Sequence, residues 1–235
     1  MVKLASMNQK KYLTIVFACE AYLEKYGDNY LGVGWTKKQE DADTRYRVML
    51  ELIKPETSGK VKLLDFGCGA SHLYEYILKN RLDHIYYTGL DLSQKFIDLS
   101  RKKFPSIEYY HLDILDDQVN LPDFDYILLN GVFNSKCDLR FEEMFAYFQE
   151  VISRAFTKAR VGIAFNVMSK QVDWEREDLF HLPFDMLASF LTKNVSRHFV
   201  IRHDYGLYEY TAYVYKQPNS LGPDVNHNNN TQERY

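Results

Sequence analysis

The chain has 235 residues, 46% of them hydrophobic and 26% charged, with a formal net charge of −3. That balance describes a soluble protein long enough to bury a real core in one α/β domain with an added cap. It excludes the strong positive field that favours nucleic acid, and it contains no run of about eighteen apolar residues to span a membrane.

The cysteines Cys19, Cys68 and Cys137 are odd in number and scattered. They form neither a disulfide framework nor a metal-ligand spacing, so no metal is expected and the reducing cytoplasm is the expected location. Near the start, lysines precede the apolar stretch Tyr12 to Cys19, as in an export signal. Glu20 interrupts it at once, and Tyr12, Ile15, Val16, Cys19, Tyr22 and Leu23 fall at helical spacing. The reading is an amphipathic helix over about residues 8–26.

A glycine- and aromatic-rich loop follows from Tyr26 to Trp35, and a second helix from about Lys38 to Ile53. Pro55 and the turn Thr57 to Gly59 close that helix. Residues 1–58 are thus expected to form a helical cap or lid, with Trp35 and Arg45 near the mouth of a site.

The stretch Val61 to Ser71 reads V-K-L-L-D-F-G-C-G-A-S. It predicts a buried strand ending at Asp65, a glycine turn, and a helix with Leu73, Tyr76 and Ile77 on one face. Strand and helix then alternate. Strands are expected at Ile85 to Leu92, Ile107 to Asp113, Phe124 to Val132 and Val161 to Val167. Ser93 caps the helix that runs to Phe104, and the helix carrying Met144, Phe148, Val151, Ile152 and Ala155 must pack on the sheet.

His198 to Arg202 and Tyr208 to Lys216 lie too close together for a crossover helix, so they form an antiparallel hairpin. The pattern is a doubly wound, mostly parallel seven-stranded sheet with an antiparallel last strand over residues 59–216. Residues 217–235 form an asparagine-rich polar tail outside the fold.

Topology gathers the chemistry. In an open α/β sheet the ligand lies beyond the carboxyl ends of the strands, and Asp65, Asp91, Asp113 and Asn130 all fall there. Asp91 follows Gly69 by 22 residues, the spacing at which a second strand offers a carboxylate to a ribose. A dinucleotide site wants G-x-G-x-x-G, but His72 stands at the third glycine and Asp65 would repel a pyrophosphate.

The D-x-G-x-G of Asp65 to Gly69 resembles motif I of the class I (Rossmann-like) methyltransferases, and the closing hairpin resembles their last strands. The family often has a third glycine where this chain has Ser71. The resemblance implies S-adenosylmethionine as cofactor, with Asp65, Gly67, Cys68 and Gly69 around its amino-acid end. It implies Asp91 and Leu92 at the ribose, Asp113 and Ile114 at the adenine, and Asn130, Gly131 and Val132 beside the methionine. After the fourth strand N-G-V-F-N-S-K replaces the N-P-P-Y of nucleic-acid amino-methylating members, so O-methylation of a small molecule is expected.

The segments Y-G-D…G-W…R and R-H-D-Y-G-L-Y-E-Y-T resemble small bacterial methyltransferases of surface-polysaccharide type. A sugar or polysaccharide precursor is the acceptor class this implies. Acceptor contacts are expected from Trp35, Arg45, Asn134, Asn166, His181 and Tyr205, with His203 and Asp204 as a general base pair at the end of the sixth strand. The alternatives are an NAD-dependent oxidoreductase and a non-catalytic domain that keeps the fold. Oligomeric state is not readable from the chain.

Overall fold

The computed structural model describes residues 10–35, 39–54 and 59–218. The expected turn at 55–58 and the polar tail beyond 218 lie outside the described residues.

The first half alternates as expected. Helices α1 (Leu13–Tyr26) and α2 (Gln39–Leu50) precede β1 (Val61–Phe66), α3 (His72–Lys79), β2 (Ile85–Asp91), α4 (Gln94–Lys103), β3 (Glu108–His111) and β4 (Phe124–Leu129). Then come α5 (Phe141–Lys158), β5 (Ala159–Ser169), β6 (His181–Leu182), α6 (Phe184–Asn194), β7 (Phe199–Arg202) and β8 (Glu209–Tyr215). Ser93 caps α4, its hydroxyl accepting from the Phe96 N–H.

The main strands run in the order β3-β2-β1-β4-β5-β8-β7, and β6 pairs with the last two residues of β5. Strands β1 to β5 are parallel, while β8 inserts antiparallel between β5 and β7. The two-residue β6 and the helix α6 are additions to the expected seven-stranded pattern.

Because strand side chains alternate between faces, each strand feeds two cores. Leu64, Ile127, Leu129, Ile163 and Phe165 pack with α5 and α6, whereas Leu63, Tyr126, Leu128 and Ala164 pack with α2, α3 and α4. On the second face the Tyr213 hydroxyl donates to the Val48 carbonyl at 2.5 Å, and the Lys54 N–H donates to the Tyr126 hydroxyl at 3.3 Å. So α2, expected in a lid, is a structural layer with Ala42, Tyr46, Val48 and Met49 buried. Helix α1 has no fully buried residue; its Leu13 and Ile15 pack partly buried against the first core.

Candidate functional site

The parallel strands end at one rim, and the order reverses between β1 and β4. An open cleft occupies that switch point; the space between its walls, including open solvent, is about 970 Å³. Its floor is the turn after β1. The N–H groups of Gly67 and Cys68 both donate to the Leu90 carbonyl, at 2.7 and 3.0 Å, which ties the turn to the end of β2. Gly67 has φ +75°, and a Cβ there would meet Val132 Cγ2 at 2.7 Å, so conformation and space both require glycine. Ser71 takes the left-handed φ of 60°, where the family often has glycine. It is held there by Ser100 at 2.8 Å and by Tyr109 at 3.0 Å.

Two acids face the cavity, Asp65 buried and Asp91 half-buried. Asp65 accepts a bond from the Tyr87 hydroxyl at 2.8 Å, and burial, reinforced by Asp91, pushes its carboxyl up to about 7 despite that bond. Asp91 accepts from the Gly69 N–H at 2.9 Å and from the Ser93 N–H at 2.8 Å, leaving one lone pair on each oxygen. Burial raises its carboxyl too, against the pull of those backbone donors.

Asp65, Gly67, Cys68, Gly69, Asp91, Leu92, Asn130, Gly131, Val132 and Trp35 all line this cavity. Asp113 and Ile114 do not. Asp113 accepts from the Tyr12 hydroxyl at 2.5 Å, the Lys10 ammonium at 2.9 Å and the Leu115 N–H at 2.9 Å. Burial opposes its charge, but those donors together hold its carboxyl below the usual range. The ring of Tyr12, stacked on Tyr147 at 4.6 Å, meets the cavity in its place.

The expected acceptor residues separate into groups. Arg45, Asn134 and Asn166 converge on Glu209, a fully buried carboxylate at the start of β8, at 2.9, 3.2 and 2.8 Å. Asn166 also accepts the Gly131 N–H at 2.7 Å. Tyr205 borders this nest, its hydroxyl bonded to Thr211 at 3.0 Å. His181 is buried and faces the Ser169 carbonyl at 2.7 Å, while its other nitrogen accepts the Arg176 N–H at 3.3 Å; both nitrogens are used internally.

The geometry departs from the expected base at the hairpin. His203 and Asp204 follow β7, the strand at the far edge of the sheet, and neither lines the cavity. Asp204 pairs with Arg202 at 2.7 Å, and the His203 ring packs edge-on against Phe184 and Tyr210. The reason is the insertion of β8, which pushes β7 one strand further from the switch point.

Sequence reasoning passed over Tyr12, Cys19, Tyr147, His72 and Glu209. Only Glu209 carried a signal, as the sole charge in the apolar run Y-E-Y-T-A-Y-V-Y. His72 is buried at the start of α3, with Nε2 2.7 Å from Asp28 and Nδ1 unpartnered. Its partner Asp28 also holds Lys103 at 2.8 Å. Asn130 Oδ1 is likewise buried without a partner.

These atoms test the fit of S-adenosylmethionine. A ligand with an ammonium and a carboxylate on one carbon would meet acceptors at Asp65 and Asn130 and a ring nitrogen at His72. Two acids with raised carboxyls, and no lysine or arginine among the described residues of the wall, match a cationic ligand. The residues present fit the group.

A family model described as a methyltransferase domain matches residues 64–161. A Mycobacterium tuberculosis protein named as a candidate methyltransferase is 27% identical over 157 residues, covering 65% of this chain and 91% of its own. Among solved structures, magnesium protoporphyrin IX methyltransferase from Synechocystis, crystallised with S-adenosylmethionine, superposes with a TM-score of 0.58 at 15% identity, covering 88% of this chain and 97% of that one. A TehB-like S-adenosylmethionine-dependent methyltransferase from Corynebacterium glutamicum gives 0.55 at 17% identity, covering 86% and 100%. The plantazolicin methyltransferase, in complex with a desmethyl-plantazolicin analogue and S-adenosylhomocysteine, gives 0.59 at 16%, covering 88% and 98%. Residues 64–161 thus match a methyltransferase-domain model, and the chain has the mixed α/β Rossmann-like fold of S-adenosylmethionine-dependent methyltransferases.

Proposed function

We propose that the protein transfers the methyl group of S-adenosylmethionine to a small-molecule acceptor, with an oxygen as the nucleophile. The observation that carries this is the cavity floor: two acids, buried Asp65 and half-buried Asp91, and the unpartnered Asn130 Oδ1, all turned to one space. In this reading Asp65 and Asn130 hold the ammonium, and Asp91 accepts the ribose hydroxyls. Gly67 and Gly69 let the ligand approach the main chain.

When bound, the cofactor supplies a methyl group activated by its sulfonium. What the chain adds is alignment and the exclusion of water, because in-line displacement depends chiefly on the placement of nucleophile, methyl and sulfur. Tyr12, Ile15, Val16 and Cys19 of the α1 region close the outer wall. Against the oxidoreductase alternative stand Asp65, which would repel a pyrophosphate, and β8, which breaks the all-parallel order of a dinucleotide sheet.

The acceptor class suggested by sequence likeness is a sugar or a surface-polysaccharide precursor. A cytoplasmic setting belongs to the same reading, since Cys19, Cys68 and Cys137 are all free.

Isothermal titration with S-adenosylmethionine and with NAD tests the cofactor. The parent is expected to bind the first and not the second. Asp91→Ala should weaken binding by about 2–3 kcal/mol, roughly thirty- to a hundredfold. Equal affinity in parent and variant would remove Asp91 from the ribose position.

A further inference from the structure

Four buried side-chain polar atoms among the described residues have no partner, and they fall into two pairs. His72 Nδ1 and Asn130 Oδ1 belong to residues of the cavity wall. Arg45 Nη1 and Asn134 Oδ1 belong to the nest around Glu209, whose residues are not on that wall. Orphans of this kind are uncommon in native proteins and mark places where something else completes the bonding.

The nest adjoins the cavity across a single ring. Trp35 lines the cavity, its indole lies against Gly131, where a Cβ would be 3.1 Å from Trp35 Nε1, and the Arg45 guanidinium sits 5.1 Å from the ring centroid. Gly131 is itself shared: it lines the cavity while its N–H is donated into the nest, to Asn166. Trp35 is therefore the partition between the cofactor's space and a second polar site.

The bonding inside the nest defines what it lacks. A carboxylate only accepts, so Glu209 forces the amides of Asn134 and Asn166 to turn their nitrogens toward it. Asn134 Oδ1 is then fixed facing away as a free acceptor, and Arg45, whose Nε is spent on Glu209, keeps Nη1 as a free donor. Arg45 and Glu209 balance each other's charge. A ligand with a net charge would bring an unpaired ion into a buried place, which costs several kcal/mol. What fits is neutral and brings both an acceptor and a donor.

We propose that this nest seats the methyl acceptor by a neutral carboxamide, its carbonyl on Arg45 Nη1 and its N–H on Asn134 Oδ1, with Trp35 swinging aside to admit it. The inference rests on the methyltransferase reading, since it is the adjoining cofactor space that makes the nest an acceptor site. An acetamido group on a hydroxylated acceptor meets both requirements at once: the amide anchors and a hydroxyl is left for methylation.

The test uses the full chain labelled with ¹⁵N, with acetamide as the probe, with and without saturating S-adenosylhomocysteine. Acetate, methylammonium and ethanediol serve as comparators. Acetamide is expected to shift the Asn134 side-chain amide and the Arg45 Nε–H signals saturably, and Asn134→Ala to weaken the response at Arg45 by about tenfold. Acetate and methylammonium should leave both signals in place. No saturable shift, an equal response to acetate, or a response to ethanediol alone overturns the proposal. Failure of S-adenosylhomocysteine to bind the parent overturns the methyltransferase reading instead, and the titration without it reports on the nest by itself.

Discussion

At the scale of single residues, the side chain with the largest consequence is Asp65. Burial pushes its carboxyl up to about 7, from 3.8 in the unfolded chain. Between those values the folded chain keeps a proton that the unfolded chain has lost. Its stabilising contribution is therefore complete below about pH 4 and disappears as pH rises through about 7. At about 1.4 kcal/mol per unit, up to about 4 kcal/mol is involved.

A cationic ligand selects the ionised form, so cofactor affinity should fall about tenfold per pH unit below about 7. Asp65→Asn should raise the melting temperature of the ligand-free protein at pH 8 and bind the cofactor weakly at every pH. Calorimetry from pH 5.5 to 8.5 on both proteins checks this, and a flat affinity in the parent would mean that Asp65 does not face the ammonium. His203, by contrast, is engaged with Phe184 and Tyr210, and His203→Ala should leave turnover within about twofold of the parent in a coupled S-adenosylhomocysteine assay. A hundredfold loss would restore the general base there.

Strand-end residues such as Asp65, Asp91 and Asn130 were readable because periodicity locates strand ends, and topology sends parallel strands to one rim. Tyr12 capturing Asp113 across 101 positions left no trace in the chain, since nothing local couples the two. The same holds for Glu209, which meets Arg45 across 164 positions.

At the scale of elements, α5 shows how a helix read from spacing alone acquires its energetic role. Phe148 lies on its buried face and meets Phe133, Phe165, Phe190 and Phe180 with ring centroids at 4.9, 5.3, 5.8 and 6.0 Å. These rings come from the segment after β4, from β5, from α6 and from the segment before β6, so Phe148 joins four parts of the chain. Phe148→Ala is expected to cost about 3–5 kcal/mol, through lost burial and a cavity that fixed strands cannot refill. Urea unfolding measures it; a loss below about 1 kcal/mol would mean that the surrounding rings collapse into the space.

The apolar pattern of α5 was legible, as was that of α6 with Phe184, Leu187, Phe190 and Leu191 at spacings of three and four, although α6 was not among the expected elements. What spacing could not supply was the partner. Helix α2 reads as amphipathic wherever it sits, and its buried face on the second core, with the Tyr213 hydroxyl on the Val48 carbonyl, makes it a layer of the sheet.

At the scale of the whole molecule, two kinds of attachment stand side by side. The sheet and its flanking helices are joined through buried apolar faces, but α1 has no fully buried residue; Leu13 and Ile15 pack partly buried on the core, and polar contacts add to them. The fastenings are Lys10 and Tyr12 on Asp113, Glu20 on Ser93 at 2.6 Å, and Lys95 on Glu20 and Glu24 at 3.0 and 2.6 Å. Of these the Tyr12–Asp113 bond is buried and the Lys95–Glu24 pair is exposed, where screening leaves it little weight. Segments with few buried contacts open at low free energy, so the amides of α1 should exchange well before those of β1, β4 and β5.

The same helix supplies part of the cavity wall, which couples its opening to ligand. A ligand that fills the cavity binds the closed arrangement, and at a hundred times its dissociation constant it stabilises that state by about 2.7 kcal/mol. For a chain of this size that corresponds to a rise of roughly 5–10 °C in melting temperature. Hydrogen exchange followed by mass spectrometry, with and without S-adenosylhomocysteine, is expected to show the largest slowing in peptides covering Tyr12 to Tyr26 and the turn from Gly67 to Ser71. Slowing confined to the turn, with α1 unchanged, would mean that the helix is a fixed wall and that the ligand enters without moving it.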